Sequence, residues 1–432
     1  MLARPGAQVA ARHFGWLAAD KLVRAVLNVG VGLWVARHLG PARFGLLSYA
    51  LAVAGIAALL ADLGLEAVIR RELIAAPRRA SELMACAWRL RLVGGIVGYG
   101  LLLLSAMIGS STGSDRVLLA VAGLTLFQPV VCVADLWFQA RLAARTSVLA
   151  QTAALVAGSA ARVMLIVTDA PLVMFAWVAV FEMAVAGVLL TVLARRGGLC
   201  FRGFDPVLAR RLLREGWPLL LSGAAVALYL RIDALMLRYY AGETAVGHYA
   251  AAVRFTEIWY FVPLALASSL LPALLRARAQ GQPVYAARMQ QLYDLNAGIA
   301  YLIMVPLALS APWLIQKIYG PEYGESARVL AVYVWSTVFV FIGVARSQFL
   351  VNEGYTRFYL LSTLAGLLVN VVLNLALIPR HGAWGAAVAT LAAQIVATWL
   401  SSFCFAPVRA SAWMQTRALL IPMRVFSYVG RA

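Results

Sequence analysis

Long apolar runs recur at regular intervals along the whole chain, and Gly, Pro or charged residues separate them. Each run has about 20 residues, the length that an α-helix needs to cross the hydrocarbon core of a bilayer. The predicted spans are 14–36, 44–66, 86–109, 117–138, 147–168, 172–194, 216–239, 248–274, 292–316, 327–350, 357–378 and 383–405. The pattern therefore predicts an all-α polytopic membrane protein with about twelve transmembrane helices.

The composition supports this prediction and argues against soluble classes of protein. Of 432 residues, 63% are hydrophobic and 13% are charged, whereas soluble domains have about 45–50% and about 25%. The four cysteines are scattered, and no ATP-binding loop, nucleophilic triad, paired carboxylates or metal-ligand spacing stands out. We therefore expect no catalytic residue, no metal site and no cofactor. The protein is predicted not to be an enzyme.

The distribution of Lys and Arg predicts the orientation in the membrane. Alternate connections hold 25 of these residues on one side and seven on the other. Because cytoplasmic loops carry the excess of Lys and Arg, both termini are predicted to be cytoplasmic. The net charge is +19, but the sequence contains no soluble basic domain that could bind nucleic acid. We therefore expect no nucleic acid partner. Asp20, Lys21 and Arg24 interrupt the first apolar run, which argues against a cleavable signal peptide.

Two halves of the chain carry the same glycine pattern. Gly40 and Gly45 follow the first span, and Gly242 and Gly247 follow the seventh, five residues apart in both cases. This repeat predicts two six-helix lobes, related by a pseudo-twofold axis along the membrane normal, around a central cavity. The predicted parts are an N-lobe at 1–194, a basic cytoplasmic linker at 195–215, a C-lobe at 216–405 and a basic cytoplasmic tail at 406–432. The tail could lie on the anionic inner leaflet as an amphipathic segment or be a frayed terminus.

Nine charged residues are predicted to lie near the middle of the membrane. The cations are Lys21, Arg24, Arg162, Arg231 and Arg254, and the anions are Asp20, Glu182, Asp233 and Glu257. A charge at the bilayer centre costs about 2.5–3.5 kcal/mol on insertion scales, so these side chains are expected to face protein or water. Several helices contribute them, which favours one shared, water-filled cavity. Asp135 lies nearer a cytoplasmic end, where we expect an exposed carboxylate.

The polar residues of the first span share one helix face. Lys21, Arg24 and Asn28 are spaced i, i+3 and i+7, and Asp20 can reach Arg24 at i+4. An Asp20–Arg24 pair within the helix, with Lys21 extending to the membrane surface, is the alternative to a cavity.

Span eleven carries a second polar pair. Asn370 and Asn374 are spaced i, i+4, where amides either bridge helices or line the cavity.

Three stretches now point to a family. Residues 34–50, with Gly40-Pro41-Ala42-Arg43-Phe44-Gly45, resemble the first helix pair of the Wzx-type polysaccharide transporters. These transporters belong to the multidrug/oligosaccharidyl-lipid/polysaccharide (MOP) exporter superfamily. Residues 229–263, with Arg231 and Asp233, resemble their seventh and eighth helices, and residues 370–387 their eleventh and twelfth.

The resemblance implies a function as well as a fold. Wzx-type proteins flip undecaprenyl-pyrophosphate-linked oligosaccharides from the cytoplasmic to the outer leaflet, for O-antigen, capsule or exopolysaccharide assembly. They have cationic cavity residues, which match Arg24, Arg162, Arg231 and Arg254 in type. The implied partners are the lipid-linked glycan, the bilayer, and the polymerase and chain-length proteins of the same pathway. Coupling to a Na⁺ or H⁺ gradient through Glu182, Asp233 or Glu257, or to the membrane potential, is compatible with this function.

Two other functions are weighed against the flippase. A MATE-type cation or drug antiporter shares the fold, but a cation site favours a net acidic cavity and the charges in these spans lean basic. A membrane glycosyltransferase or polymerase would need catalytic residues on a substantial outer loop, and every predicted outer loop is short.

Overall fold

The computed structural model describes residues 5–108, 113–141 and 143–424, and the side chains of 5–26, 28, 29, 108, 144, 268 and 272 lie outside the description. The described backbone is helical with short turns, and no strand occurs in it. The helices are α1 (Pro5–Asp62), α2 (Leu65–Ala75), α3 (Ala80–Ile108), α4 (Gly113–Gly123), α5 (Gln128–Val131), α6 (Ala134–Ala140), α7 (Ala144–Val167), α8 (Leu172–Arg196), α9 (Pro206–Glu257), α10 (Phe261–Ala279), α11 (Gln282–Ile318), α12 (Gly324–Asn352), α13 (Thr356–Gln394), α14 (Ser401–Cys404) and α15 (Arg409–Leu419).

Three of these helices bend at a glycine that lies between two predicted spans. Among the described residues, nine helical stretches are long and apolar enough to cross a membrane. In α1, α9 and α13 a glycine with positive φ interrupts the helix, at Gly40 (φ 71°), Gly242 (φ 81°) and Gly382 (φ 53°). Two of the nine stretches, Pro206–Leu271 and Thr356–Cys404, therefore hold two predicted spans each. The prediction of an all-α polytopic membrane protein is confirmed, and the count of about twelve spans stays a prediction.

The chain forms two compact units. The first contains residues 1–39 and 46–231, and the second contains residues 40–45 and 232–432. The division falls inside α9, after the basic segment 195–215 that we predicted as a linker. The predicted boundaries of the lobes, linker and tail stay a prediction.

The repeated glycines meet each other in the second unit. A methyl group on Gly45 would overlap the backbone carbonyl of Glu243, and one on Gly247 would overlap the carbonyl of Pro41. The two copies of the motif therefore pack backbone against backbone in a reciprocal way, which only residues without a Cβ allow. This contact supports the interpretation of the glycine spacing as an internal repeat.

The fourth predicted span is a broken helix. It runs through α4, a 3₁₀ turn at Leu124–Phe127, α5 and α6. Pro129 lacks a backbone N–H, and its own carbonyl accepts a hydrogen bond from Arg91 Nη1 at 3.0 Å. Thr125 bonds back to the carbonyl of Ala122 at 2.6 Å. These local bonds replace part of the regular helix, and the break shapes the cavity described next.

The tail contains a helix that packs on the second unit. Helix α15 buries Ser411 and Gln415, and Tyr293 of α11 lies 2.6 Å from the Ser411 hydroxyl. Trp413 on the same helix is exposed. The described part of the tail is thus an ordered helix with a buried polar face and an exposed apolar residue. Its location on the inner leaflet stays a prediction.

Candidate functional site

A cavity of about 470 Å³ lies inside the first unit. Side chains from α1, the broken fourth span, α7, α8 and the first half of α9 line it. Its charged and polar lining residues are Thr125, Gln128, Asp135, Gln151, Arg162, Glu182 and Arg231. The cavity therefore collects three of the charged residues that we predicted for a shared cavity and adds polar residues that we did not predict.

Arg231 is the exposed cation of this cavity. Its side chain is exposed, and no described carboxylate lies within ion-pair distance of it. The guanidinium lies over Gly55, where an added Cβ would be 3.0 Å from Nε and 3.2 Å from Cζ. Because Gly55 has no side chain, the Arg231 guanidinium can occupy this space. An arginine that keeps contact with water and has no described ionic partner can pair with an anion in two parallel hydrogen bonds.

Arg162 and Glu182 form an ion pair in the same cavity. The Nη2 atom of Arg162 donates to Oε2 of Glu182 at 2.7 Å, and both side chains are partly exposed. Gly158, one turn before Arg162, makes room for the carboxylate, because an added Cβ would be 2.7 Å from Oε2. The pair joins α7 to α8, and its partial exposure leaves outward-facing oxygen and nitrogen atoms available to a ligand.

The broken fourth span supplies most of the uncharged polar lining. Thr125, Gln128 and Asp135 come from it, and Gln151 faces them from α7. The expectation of an exposed Asp135 is wrong: the carboxylate is partly buried and accepts hydrogen bonds from Ser147 and, at 2.8 Å, from Gln139. The sequence signal that points to this wall is Pro129 inside an otherwise apolar span.

A second polar cluster surrounds Asp233 in the second unit. Asp233 is buried, and its Oδ2 accepts hydrogen bonds from Tyr249 at 2.5 Å and Thr390 at 2.7 Å. Asn374 donates through Nδ2 to Asp233 Oδ1 at 2.6 Å and to Asn370 Oδ1 at 3.0 Å. No described Lys or Arg is within ion-pair distance of this carboxylate.

The remaining predicted residues lie elsewhere. Arg254 belongs to the second unit, with its guanidinium 4.9 Å from the ring centre of Phe44. Glu257 is exposed at the end of α9. The side chains of Asp20, Lys21, Arg24 and Asn28 lie outside the described residues, so their roles stay predictions.

Comparison with known families identifies the chain. The family model described as polysaccharide biosynthesis protein matches residues 10–278, more than half of the chain. The chain belongs to this family. A model for the MatE family matches residues 218–376 of the chain. The predicted resemblance to the polysaccharide transporters of the MOP superfamily is confirmed.

Among curated relatives, the chain is similar to a protein of Shigella dysenteriae named "Putative O-antigen transporter", with 23% identity over 220 residues. The match covers 50% of this chain and 54% of the relative, so the chain spans about half of that protein's length. A second relative is the uncharacterized membrane protein YabM of Bacillus subtilis, 33% identical over 103 residues. That match covers 24% of this chain and 19% of the relative.

Solved structures show the same fold. The lipid II flippase MurJ in an inward closed conformation has a TM-score of 0.71 and 12% identity, covering 97% of this chain and 92% of MurJ. An inward-facing multidrug resistance MATE family transporter of the MOP superfamily has a TM-score of 0.69 and 17% identity. The match covers 94% of this chain and 99% of the MATE transporter. The chain is therefore a multi-pass membrane protein with the fold of this superfamily.

Proposed function

We propose that this protein is a flippase that moves undecaprenyl-pyrophosphate-linked oligosaccharide from the cytoplasmic to the periplasmic leaflet. The observation that carries the proposal is the cavity of the first unit, in which exposed Arg231 lies beside uncharged hydrogen-bonding side chains. The family match and the O-antigen transporter relative support this class of substrate. The protein would act by binding and conformational change, with no chemical step.

The two kinds of lining residue suit the two polar parts of the substrate. A pyrophosphate diester carries two negative charges, and leaving them unpaired in hydrocarbon costs many kcal/mol. Arg231 would pair with them, since guanidinium–phosphate hydrogen bonds are charge-assisted. Gln128, Gln151 and Thr125 would form hydrogen bonds with sugar hydroxyls, for which amides and hydroxyls have both donors and acceptors. Lys21, Arg24 and Arg254 stay further candidate cations for the pyrophosphate, as we predicted from the sequence.

The membrane potential favours the proposed direction of transport. Moving one negative charge outward across an inside-negative membrane gains about 2.3 kcal/mol per 100 mV. A substrate with two charges gains twice that amount. The polyprenyl tail would stay in lipid while the head group crosses, and the halves of the protein would alternate their access by rocking. The glycan would then pass to the polymerase and chain-length proteins of its pathway in the bacterial inner membrane.

Asp233 is our proposed site for a coupling cation. A buried carboxylate without a counter-charge is costly, and it is satisfied here by three hydrogen-bond donors. The Oδ1 atom of Asn374 is buried without a described hydrogen-bond partner. Turning the Asn374 amide would bring this oxygen beside Asp233 and Asn370, and a cation would then hold the oxygens together. Sodium fits an all-oxygen site, and a proton on Asp233 is the alternative.

An export assay tests the proposed function. The gene would be expressed in cells that lack their own flippase but make the cognate lipid-linked glycan, and outer-leaflet glycan and accumulated precursor would be measured. We expect the wild-type protein to restore export and remove the precursor. Absence of export, with the protein present in the membrane and the cognate glycan supplied, would contradict the proposal.

The MATE-type antiporter remains the second candidate because one observation favours it. The MatE family model matches residues 218–376, which include the Asp233 cluster. Under this alternative the protein would raise resistance to cationic drugs, and Arg231→Ala would spare or improve that resistance. Under the flippase proposal Arg231→Ala lowers glycan export and wild type confers no drug resistance.

A further inference from the structure

A second cavity, of about 260 Å³, lies in the first unit where three connections meet. These are the turn after α2, the end of α6 and the turn after α8. They follow the second, fourth and sixth spans, so all three lie on the side that the Lys and Arg distribution predicts to be cytoplasmic. The proposed transport function does not use this cavity.

Two arginines without carboxylate partners line the cavity. They are Arg78 and Arg141, and the lining contains no Asp or Glu. In the described part of the chain, no carboxylate lies within ion-pair distance of either one. The arginines of α2 and the other arginine of the turn after it are paired: Arg70 with Glu66, Arg71 with Glu72 and Glu215, and Arg79 with Glu82 and Asp205. The protein thus neutralises the neighbouring cations and leaves these two free at the cavity.

The cavity walls position these cations. The guanidinium of Arg141 stacks over the buried indole of Trp137, with Cζ 4.5 Å from the ring centre. Gly197 packs against that indole, because an added Cβ would be 2.7 Å from Cη2. Ser81 accepts a hydrogen bond from the backbone N–H of Cys200 at 3.3 Å, so its hydroxyl proton can be donated to a ligand. Two guanidinium groups and a hydroxyl thus surround one small space.

We propose that this cavity binds a phosphate group. Guanidinium groups bind phosphate through parallel charge-assisted hydrogen bonds, and the absence of a lining carboxylate removes repulsion. The volume lies below the range of about 300–1,000 Å³ for drug-sized ligands, so a single head group fits better than an oligosaccharide. The phosphate comes either from an anionic phospholipid of the adjacent leaflet or from free phosphate in solution.

Native mass spectrometry of the full-length protein in detergent tests the proposal. The probes are phosphatidylglycerol, diacylglycerol as a lipid without phosphate, and inorganic pyrophosphate. We expect wild type to retain phosphatidylglycerol and not diacylglycerol. The double variant Arg78→Gln with Arg141→Gln should bind it at least about tenfold more weakly, because charge-assisted bonds are lost. The control Arg210→Gln with Arg214→Gln removes two exposed charges of α9 and should bind like wild type.

The outcomes separate the two sources of phosphate. If phosphatidylglycerol is bound and pyrophosphate does not displace it, the ligand is a lipid head group; if pyrophosphate displaces it in wild type only, the site also takes free phosphate. The proposal would be overturned if wild type and the Arg78/Arg141 variant bound phosphatidylglycerol equally. It would also be overturned if the Arg210/Arg214 control lost as much binding as the Arg78/Arg141 variant. Unchanged melting temperatures would show that the variants fold. The single variant Arg78→Gln, at an exposed side chain, serves if the double variant does not fold.

Discussion

The polar clusters around Arg231 and Asp233 start two residues apart on α9 and are opposite in nearly every respect. Arg231 is exposed in a cavity of about 470 Å³, where no described carboxylate pairs with it. Asp233 is buried in the second unit and receives hydrogen bonds from Tyr249, Asn374 and Thr390. Residues two apart on an α-helix point about 200° from each other, so one helix can supply both clusters.

The difference shows how the protein handles a charge inside an apolar bundle. The cation keeps water and an open approach, so binding an anion there costs little desolvation of the protein. The carboxylate has lost its water, and its hydrogen bonds offset that loss. The first arrangement suits a large anionic head group, and the second suits a small ion that needs no water. In our account the two clusters therefore bind opposite charges.

The largest expected effect follows from removing the exposed cation. We expect Arg231→Ala to lower glycan export by about ten- to a hundredfold, since a hydrogen bond to a charged group contributes about 1.5–3 kcal/mol. Arg231→Lys should restore part of the activity, because charge is kept and the bidentate geometry is lost. Outer-leaflet glycan, normalised to membrane protein level, measures both. Arg210→Gln is the matched control for loss of an exposed charge on α9, and equal losses in the two would refute the role of Arg231.

A comparable but smaller loss should follow from occupying the space beside that cation. Gly55→Leu places a side chain where the Arg231 guanidinium lies, so export should fall by about tenfold, near the lower limit for loss of a charged hydrogen bond. Gly100→Leu, at a helical glycine with nothing within 4 Å of an added Cβ, should export like wild type. Normal export by Gly55→Leu would show that the position of Arg231 over Gly55 is unimportant.

Asp233→Asn tests the opposite cluster and should leave anion binding intact. In wild type we expect NaCl, compared with choline chloride, to raise the melting temperature. A ligand at 100 times its Kd stabilises by about 2.7 kcal/mol. Asp233→Asn keeps the side-chain shape and should lose this sodium response. A response that persists in Asp233→Asn would exclude Asp233 as the sodium ligand, and a pH-dependent response in wild type would favour the proton.

The smallest effect is expected at the ion pair of the cavity. Glu182→Gln removes the partner of Arg162 and makes the cavity more positive, so binding of undecaprenyl pyrophosphate should tighten by about two- to fivefold, as for a partly exposed ion pair. Titration of the purified protein with this lipid measures the change. Weaker binding would mean that Glu182 holds Arg162 in its binding position.

Apolar run length and glycine spacing predicted the fold well. Span length in a bilayer is set by the thickness of the hydrocarbon. Gly40 and Gly242, at equivalent positions in the repeat, both have positive φ. The opposite directions of Arg231 and Asp233 also followed from helix geometry alone.

The partners across helices were not predictable in the same way. Arg162 and Glu182 are 20 residues apart on different helices, and their contact depends on how α7 and α8 pack. Asp135 was expected to be exposed because helix ends usually are, but the break around Pro129 turns this wall toward the cavity. The space left by Gly55 and Gly158 is likewise a property of packing, since periodicity within one helix carries no register between helices.

The most direct test measures both ligands on both clusters. Purified wild type, Arg231→Gln and Asp233→Asn would be titrated with undecaprenyl pyrophosphate and, separately, with NaCl against choline chloride, following thermal stability. Our account predicts that Arg231→Gln loses the response to the lipid and keeps the response to sodium, and that Asp233→Asn does the reverse. The assignment of opposite charges to the two clusters would be contradicted if one variant lost both responses. It would also be contradicted if both variants kept both responses.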